Sequence, residues 1–186
     1  MTSDTSSGAP PAAALFTAAD IAAILRERGW LDLSVGLAAS PAFEEWCARA
    51  ADLLAPQVSD VSAMAGLLSL LFVYDATALV REPGNQAVLA RGGARDVIRA
   101  FANRLLDGGE LDSDRLKEII DGVKAALPYR GRELFYPLRL ALAGRAGDGE
   151  LDRVILLLDP AAALAEFSVP VKGARQRMLE FCAASD

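Results

Sequence analysis

Val61-Ser-Ala-Met-Ala-Gly-Leu-Leu-Ser-Leu-Leu-Phe-Val-Tyr-Asp-Ala-Thr-Ala-Leu-Val80 is the stretch from which the fold is read. It is apolar on nearly every side of a helix, and a helix of that kind belongs in the centre of a bundle. Its uncharged part, Val61 to Tyr74, counts 14 residues, short of the ~20 needed to cross a bilayer, so a buried core helix is expected and no membrane association. Ser59 is placed to cap it, and Pro83-Gly84 ends it. The surroundings agree with a helical domain. The chain has 186 residues, 53% of them apolar and only 6% aromatic. The apolar share is largely Ala and Leu, good helix formers, while β-branched and aromatic residues are sparse and scattered. That length gives one domain or two small ones, with enough apolar material for a sizeable core.

Start and stop signals divide the rest. Residues 1–14 are mostly Ser, Thr, Gly, Pro and Ala with one charged side chain, a composition that packs no core and reads as a disordered lead-in. Thr17, with Asp20 three positions on, opens a helix over Ala18–Arg28 that Gly29 ends, its stripe being Ile21, Ile24 and Leu25. Ser40-Pro41 opens a second, with Phe43, Trp46, Cys47 and Ala50 on one face and Pro56 as its stop. Val88, Val97, Ile98, Phe101 and Leu105 continue the helical pattern to Asp107-Gly108-Gly109, the candidate boundary between a first helical subdomain (15–107) and a second (110–168). Asp112 or Ser113 caps the next helix, which carries Leu116, Ile119, Ile120 and Val123 and stops before Pro128. Pro137 is expected to begin a fresh helical turn, since deep in a helix it removes a hydrogen bond. Leu151–Leu158 reads as a short apolar helix, and Asp159-Pro160 as a new start. Residues 169–186 are extra to this plan, with an amphipathic helix over Val171–Ala183.

The chemistry is bounded by what is missing. With no histidine in the chain, Ser-His-Asp and Cys-His nucleophile systems, imidazole bases and histidine metal ligands are all excluded. Cys47 and Cys182 form no C-x-x-C pair and read as two buried thiols of a reducing cytoplasm. Nothing before Arg26 resembles a signal peptide. Neither Gly92-Gly93 nor Gly108-Gly109 lies in a phosphate-cradling pattern, so no nucleotide cofactor is expected. The acids Asp107, Glu110, Asp112, Asp114 and Glu118 lack the glycine of a calcium loop and read as a solvated turn and helix start, so no metal is expected either. Glu44 and Glu45 are adjacent on a helix and cannot face one site together. No catalytic residues emerge, and the expectation is a protein that is not an enzyme.

Charge segregation says more. Lys124, Arg130, Arg132, Arg139 and Arg145 stand against Glu133 alone, a local balance of +4 in a chain of formal charge -6, which leaves -10 for the remainder. Tyr129, Phe135 and Tyr136 are interleaved with these bases. Guanidinium groups with aromatics are what a reader of single-stranded or loop RNA uses for phosphates and splayed bases. The same residues also have a structural reading: Phe135, Leu138 and Leu142 are at helical spacing, and arginines often coat apolar surface.

The run Tyr129-Arg-Gly-Arg-Glu-Leu-Phe-Tyr-Pro-Leu-Arg-Leu-Ala-Leu-Ala-Gly-Arg145, followed by Gly147-Asp-Gly-Glu-Leu151 and the apolar Val154–Leu158, resembles the C-terminal anticodon-binding region of bacterial glutamyl-tRNA synthetases. There the segment reads approximately K-G-K-x-L-F-x-P-L-R-x-A-L-T-G, then a turn and a Leu-rich helix ending in L-L-G. The resemblance is specific over about 30 residues and extends more diffusely over about 40 to 165. It implies an all-α cage of two small helical subdomains that reads the anticodon loop of a tRNA. It also implies that Arg139 meets a base, that Asp148-Gly149 and Leu151 make backbone and apolar contacts to the neighbouring base, and that Arg130 and Arg132 meet the sugar–phosphate chain. Arg145 extends the same basic segment. Three departures stand out: Ala143 replaces the threonine, Asp159 replaces the glycine after the Leu-rich helix, and residues 170–186 are additional. The catalytic motifs of a class I synthetase are absent from these residues, so the expectation is a freestanding, non-enzymatic tRNA-binding module acting in trans with a synthetase. The alternative is a protein-interaction module that kept the fold and lost RNA reading, with the C-terminal helix as its docking element.

Overall fold

The computed structural model describes residues 16–32 and 40–185; the expected lead-in lies outside them. Among the described residues there are eleven α-helices and no strand beyond one isolated bridge. They are α1 (Ala18–Glu27), α2 (Pro41–Leu54), α3 (Val61–Phe72), α4 (Ala76–Arg81), α5 (Pro83–Leu89), α6 (Ala94–Leu106), α7 (Ser113–Ala126), α8 (Gly131–Ala143), α9 (Glu150–Ile155), α10 (Leu158–Ala162) and α11 (Ala174–Ser185). The all-α reading holds. Several helix starts follow side-chain chemistry. Thr17 and Asp20 form a reciprocal capping box, Ser40 accepts from the Phe43 amide, and Asp112, not Ser113, caps α7.

Two expectations fail for local reasons. The stretch 61–80 is not one helix: it breaks after Phe72, and Asp75 restarts it as α4 by accepting from the Ala78 amide at 3.0 Å. A carboxylate that satisfies an orphan amide stabilises a helix start enough to interrupt an apolar run. The break leaves Val73 exposed and turns Tyr74 inward, where its hydroxyl donates to the Ala141 carbonyl at 2.6 Å. Asp60, not Ser59, caps α3, accepting from the Ala63 amide at 2.8 Å. Pro137 does not begin a new turn either; it lies inside a continuous α8. The carbonyl it leaves without a partner is that of Glu133, an exposed residue in the first turn, where water can replace the lost bond.

The helices pack as two interlocked groups. In one, α2 and α3 pack on α9 and α1 packs on α2 and α3; in the other, α5, α6 and α11 pack on α8, with α7 against α6 and α4 against α11 and α5, and α8 meets α9. One hydrophobic cluster of buried residues runs through both. Helices α6 and α8, on the two sides of Gly108-Gly109, lie against each other. An aromatic cluster closes the first group: Phe167 meets Phe43, Trp46 and Phe72 edge-on at 6.0, 5.3 and 5.1 Å, and Trp30 stacks on Phe72 at 4.7 Å. Backbone bonds between 30–32 and 166–168 hold Phe167 there.

The extra C-terminal segment is part of the core. Its helix begins at Ala174 rather than Val171, and Ala174, Arg177, Met178 and Phe181 are buried. Asp159, one of the departures from the family pattern, receives the Ala174 amide on one carboxylate oxygen and the Leu111 amide on the other, both at 2.7 Å. That residue and the added helix therefore fit each other. Arg177 is fully buried. Its guanidinium donates to the carbonyls of Lys172 (3.0 Å), Leu142 (2.9 Å) and Leu71 (2.6 Å) and lies over the Tyr74 ring at 4.4 Å. Leu71 and Leu142 belong to the last turns of α3 and α8, so one cation satisfies orphan carbonyls, the negative ends of two helix dipoles, in place of a carboxylate. Burial lowers the Arg177 pKa to about 10, which still leaves it charged at neutral pH, and the same burial pushes the Tyr74 hydroxyl up.

Candidate nucleic-acid interface

Helix α8 organises the basic segment. It starts at Gly131, whose φ of 53° is in the left-handed region, and ends at Gly144, whose φ of 77° lets the chain turn away and whose amide donates to the Leu140 carbonyl. Between these ends, 13 residues at 1.5 Å per residue span about 20 Å. The sequence-derived site is therefore split between two ends of one rod.

At the N-terminal end, Arg130 is exposed and is also a clasp. One terminal nitrogen donates to the Leu127 and Tyr129 carbonyls and the other to the Lys124 carbonyl, all at 2.7 Å, so its guanidinium caps the C-terminus of α7. Arg132 is exposed and lies over the Tyr136 ring at 5.7 Å. Tyr129 is held against α6: a Cβ on Gly93, whose φ is 87°, would come within 2.0 Å of its ring. Glycine is needed at 93 for the backbone angle and for this approach.

At the other end, Arg139 is not a free surface arginine. It is buried, forms a two-pronged ion pair with Asp152 (both contacts 2.7 Å), and donates to the Gly147 carbonyl at 2.8 Å. Its guanidinium also lies over Phe135 at 4.8 Å. This fork fixes the turn 147–149 against α8. Leu151 is fully buried, so here it is a packing residue and not an apolar surface contact. Arg145, Asp148 and Gly149 are exposed, and Arg145 pairs with Glu150 at 3.4 Å in a bridge open to solvent. The structure thus collects Arg145, Asp148 and Gly149 above a floor of Arg139 and Leu151, with Arg130 and Arg132 a helix length away.

Sequence reasoning missed other bases. The Arg153 side chain in α9 is exposed and has no hydrogen bond or ion pair to a described residue; it lies beyond the basic run 124–145. The side chains of Arg91, Arg95 and Arg99 are also exposed without such partners, and their four-residue spacing was legible. No helix among the described residues is long and apolar enough to cross a membrane.

An all-α domain that carries this arginine pattern on and around α8 is the architecture of the synthetase anticodon-binding class, and the chain belongs to the family described as Anticodon binding domain, whose model matches residues 20–165. Its similarity to particular proteins is to bacterial glutamate–tRNA ligases. It is 28% identical over 130 residues to the Bacillus subtilis ligase, covering 70% of this chain and 26% of the ligase. The Bacillus licheniformis ligase is 30% identical over 115 residues, 62% of this chain and 23% of that protein. The Carboxydothermus hydrogenoformans ligase is 31% identical over 85 residues, 46% and 18%. The chain thus spans about a quarter or less of the curated relatives it matches. No solved structure matches it.

Proposed function

We propose that this protein is a non-enzymatic tRNA-binding module of the cytoplasm that receives an anticodon loop along α8 and assists a synthetase in trans. The observation that carries the reading is the match of residues 20–165 to the Anticodon binding domain family. The exposed bases at both ends of α8 support it. In this reading Arg130 and Arg132 meet the sugar–phosphate chain, and Arg145 with Asp148-Gly149 meets the loop bases. Arg139 and Leu151 act from beneath as positioning residues: the fork to Asp152 and Gly147 holds the turn that presents backbone to a base. Arg139 reaches a base only if it leaves Asp152, and that single engagement favours the second reading, a protein-interaction module that kept the fold and lost RNA reading.

Binding of total tRNA, followed by fluorescence anisotropy across a salt series, separates the two. The expected result is affinity that falls with salt, with a slope reduced by about one for each phosphate-contacting arginine removed in R130A/R132A. Arg139→Ala should weaken binding while also lowering thermal stability, whereas Arg145→Ala should weaken binding alone. Absence of a salt-sensitive complex at low ionic strength rejects the tRNA reading.

A further inference from the structure

Between α6 and α11, on a face built by neither end of α8, runs a groove of about 280 Å³. Its apolar lining comes from Val80, Leu89, Ile98, Leu106, Met178 and Leu179. Leu179 is 50% exposed, the one large apolar side chain of α11 left in water. Arg95 and Arg99 stand along its rim, one helical turn apart on α6. Arg91 joins Arg95 in the adjoining depression, where Asp96 is the single acid. None of the three arginine side chains has a hydrogen bond or ion pair with a described residue.

We infer that this groove docks an amphipathic helix of a partner protein, with aliphatic side chains on the face it buries and carboxylates flanking them. Two features fix that chemistry. The floor is aliphatic, with no aromatic ring among the described lining residues, so bases would find no ring to stack on beside the rim arginines, whereas readers of single-stranded RNA combine guanidinium groups with rings. The charged residues of the rim are all cationic, with no acid among the described residues lining the groove, and they are complementary to carboxylates one turn apart on an opposing helix. The twelve residues from Arg95 to Leu106 present about three turns of wall, the length over which such a helix places its i, i+3, i+4 and i+7 anchors. The groove shares no residue with the proposed tRNA site, so either reading can fail alone.

The test uses the full chain and two synthetic helical peptides of about four turns. Both carry leucines at i, i+3, i+4 and i+7; in one the flanking positions are glutamate, in the other lysine. The glutamate peptide should shift the methyl signals of Ile98, Met178 and Leu179 in NMR titration, and the lysine peptide should leave them unmoved. R95E/R99E should exchange the preference, binding the lysine peptide instead, and Leu179→Arg should weaken the glutamate peptide. All three positions are exposed, so the variants keep the fold, which circular dichroism checks. No shift with the glutamate peptide, or equal shifts with both peptides, overturns the inference. Displacement of those same methyl signals by total tRNA, with loss of the effect in R95E/R99E, also overturns it by assigning the face to RNA.

Discussion

Replacing Arg177 by Met removes the cation while keeping a long apolar stem, and tests whether the added helix is held by the carbonyls it satisfies. The carbonyls of Leu71 and Leu142, both of buried residues, lose their donor at once, at about 1–3 kcal/mol each. The Lys172 carbonyl belongs to a half-buried residue that water reaches, so its loss adds little. The contact with Tyr74 is lost as well, about 1–2 kcal/mol in a desolvated site. Against these stands relief: a buried ion without a carboxylate partner no longer has to be desolvated, an offset of a few kcal/mol. The orphaned carbonyls outweigh it, and the net destabilisation comes to about 3 kcal/mol. For a chain of this size that lowers Tm by about 6–12 °C. Urea unfolding gives the free energy, and amide exchange should show protection lost first in the closing turns of α3 and α8. A change below about 1 kcal/mol, with those turns still protected, would refute the reasoning and mean that desolvation cancels the hydrogen bonds.

Two further tests concern single groups. Ser40, the cap of α2, donates its hydroxyl to Glu166, and this bond holds the Glu166 carboxyl below the usual glutamate range. A carboxyl depressed in the folded state stabilises above its ordinary pKa, and that contribution disappears as pH falls through the acid range. Glu166→Gln should therefore flatten the acid limb of stability measured by urea midpoint between neutral pH and about pH 3; an unchanged limb would show the bond to be without thermodynamic weight. Burial pushes the Cys47 thiol up to about 12, with the nearby carboxylates of Glu166 and Glu44 adding to it, whereas Cys182 is half-buried. In the native protein maleimide should modify Cys182 well before Cys47, and mass spectrometry reporting the reverse order would contradict the burial assigned to α2.

The legible part of the fold was the part written locally. Thr17 with Asp20, Ser40-Pro41 and Asp112 place helix starts because a side-chain acceptor within three residues of an orphan amide decides the start whatever the rest of the fold does. The break inside 61–80 was legible only in part: Asp75 is a local cap, but the inward turn of Tyr74 that accompanies it ends on Ala141, 67 positions away. Pro137 misled for the converse reason, since a rule about helix interiors meets an exception where the orphaned carbonyl faces water. For the candidate site, the arginines of α8 were legible as residues but not as states. Residue type did not separate Arg139, locked by Asp152, from Arg132, open to solvent. An amphipathic helix over Val171–Ala183 was legible, yet nothing in that pattern indicated that Arg177 would lie on its buried side.

The union of Asp159 with the amide of Ala174, and of Arg177 with two distant helix ends, bears on where this molecule is divisible. The family match stops at residue 165, and a fragment trimmed to that limit looks like a complete unit on paper. Trimmed there, it would lose Phe167 from the aromatic cluster and Met178 and Phe181 from the core, and leave Asp159 with one of its two amides. The border drawn by similarity thus runs through the interior of the folded object, and residues outside the family's common plan are what complete it.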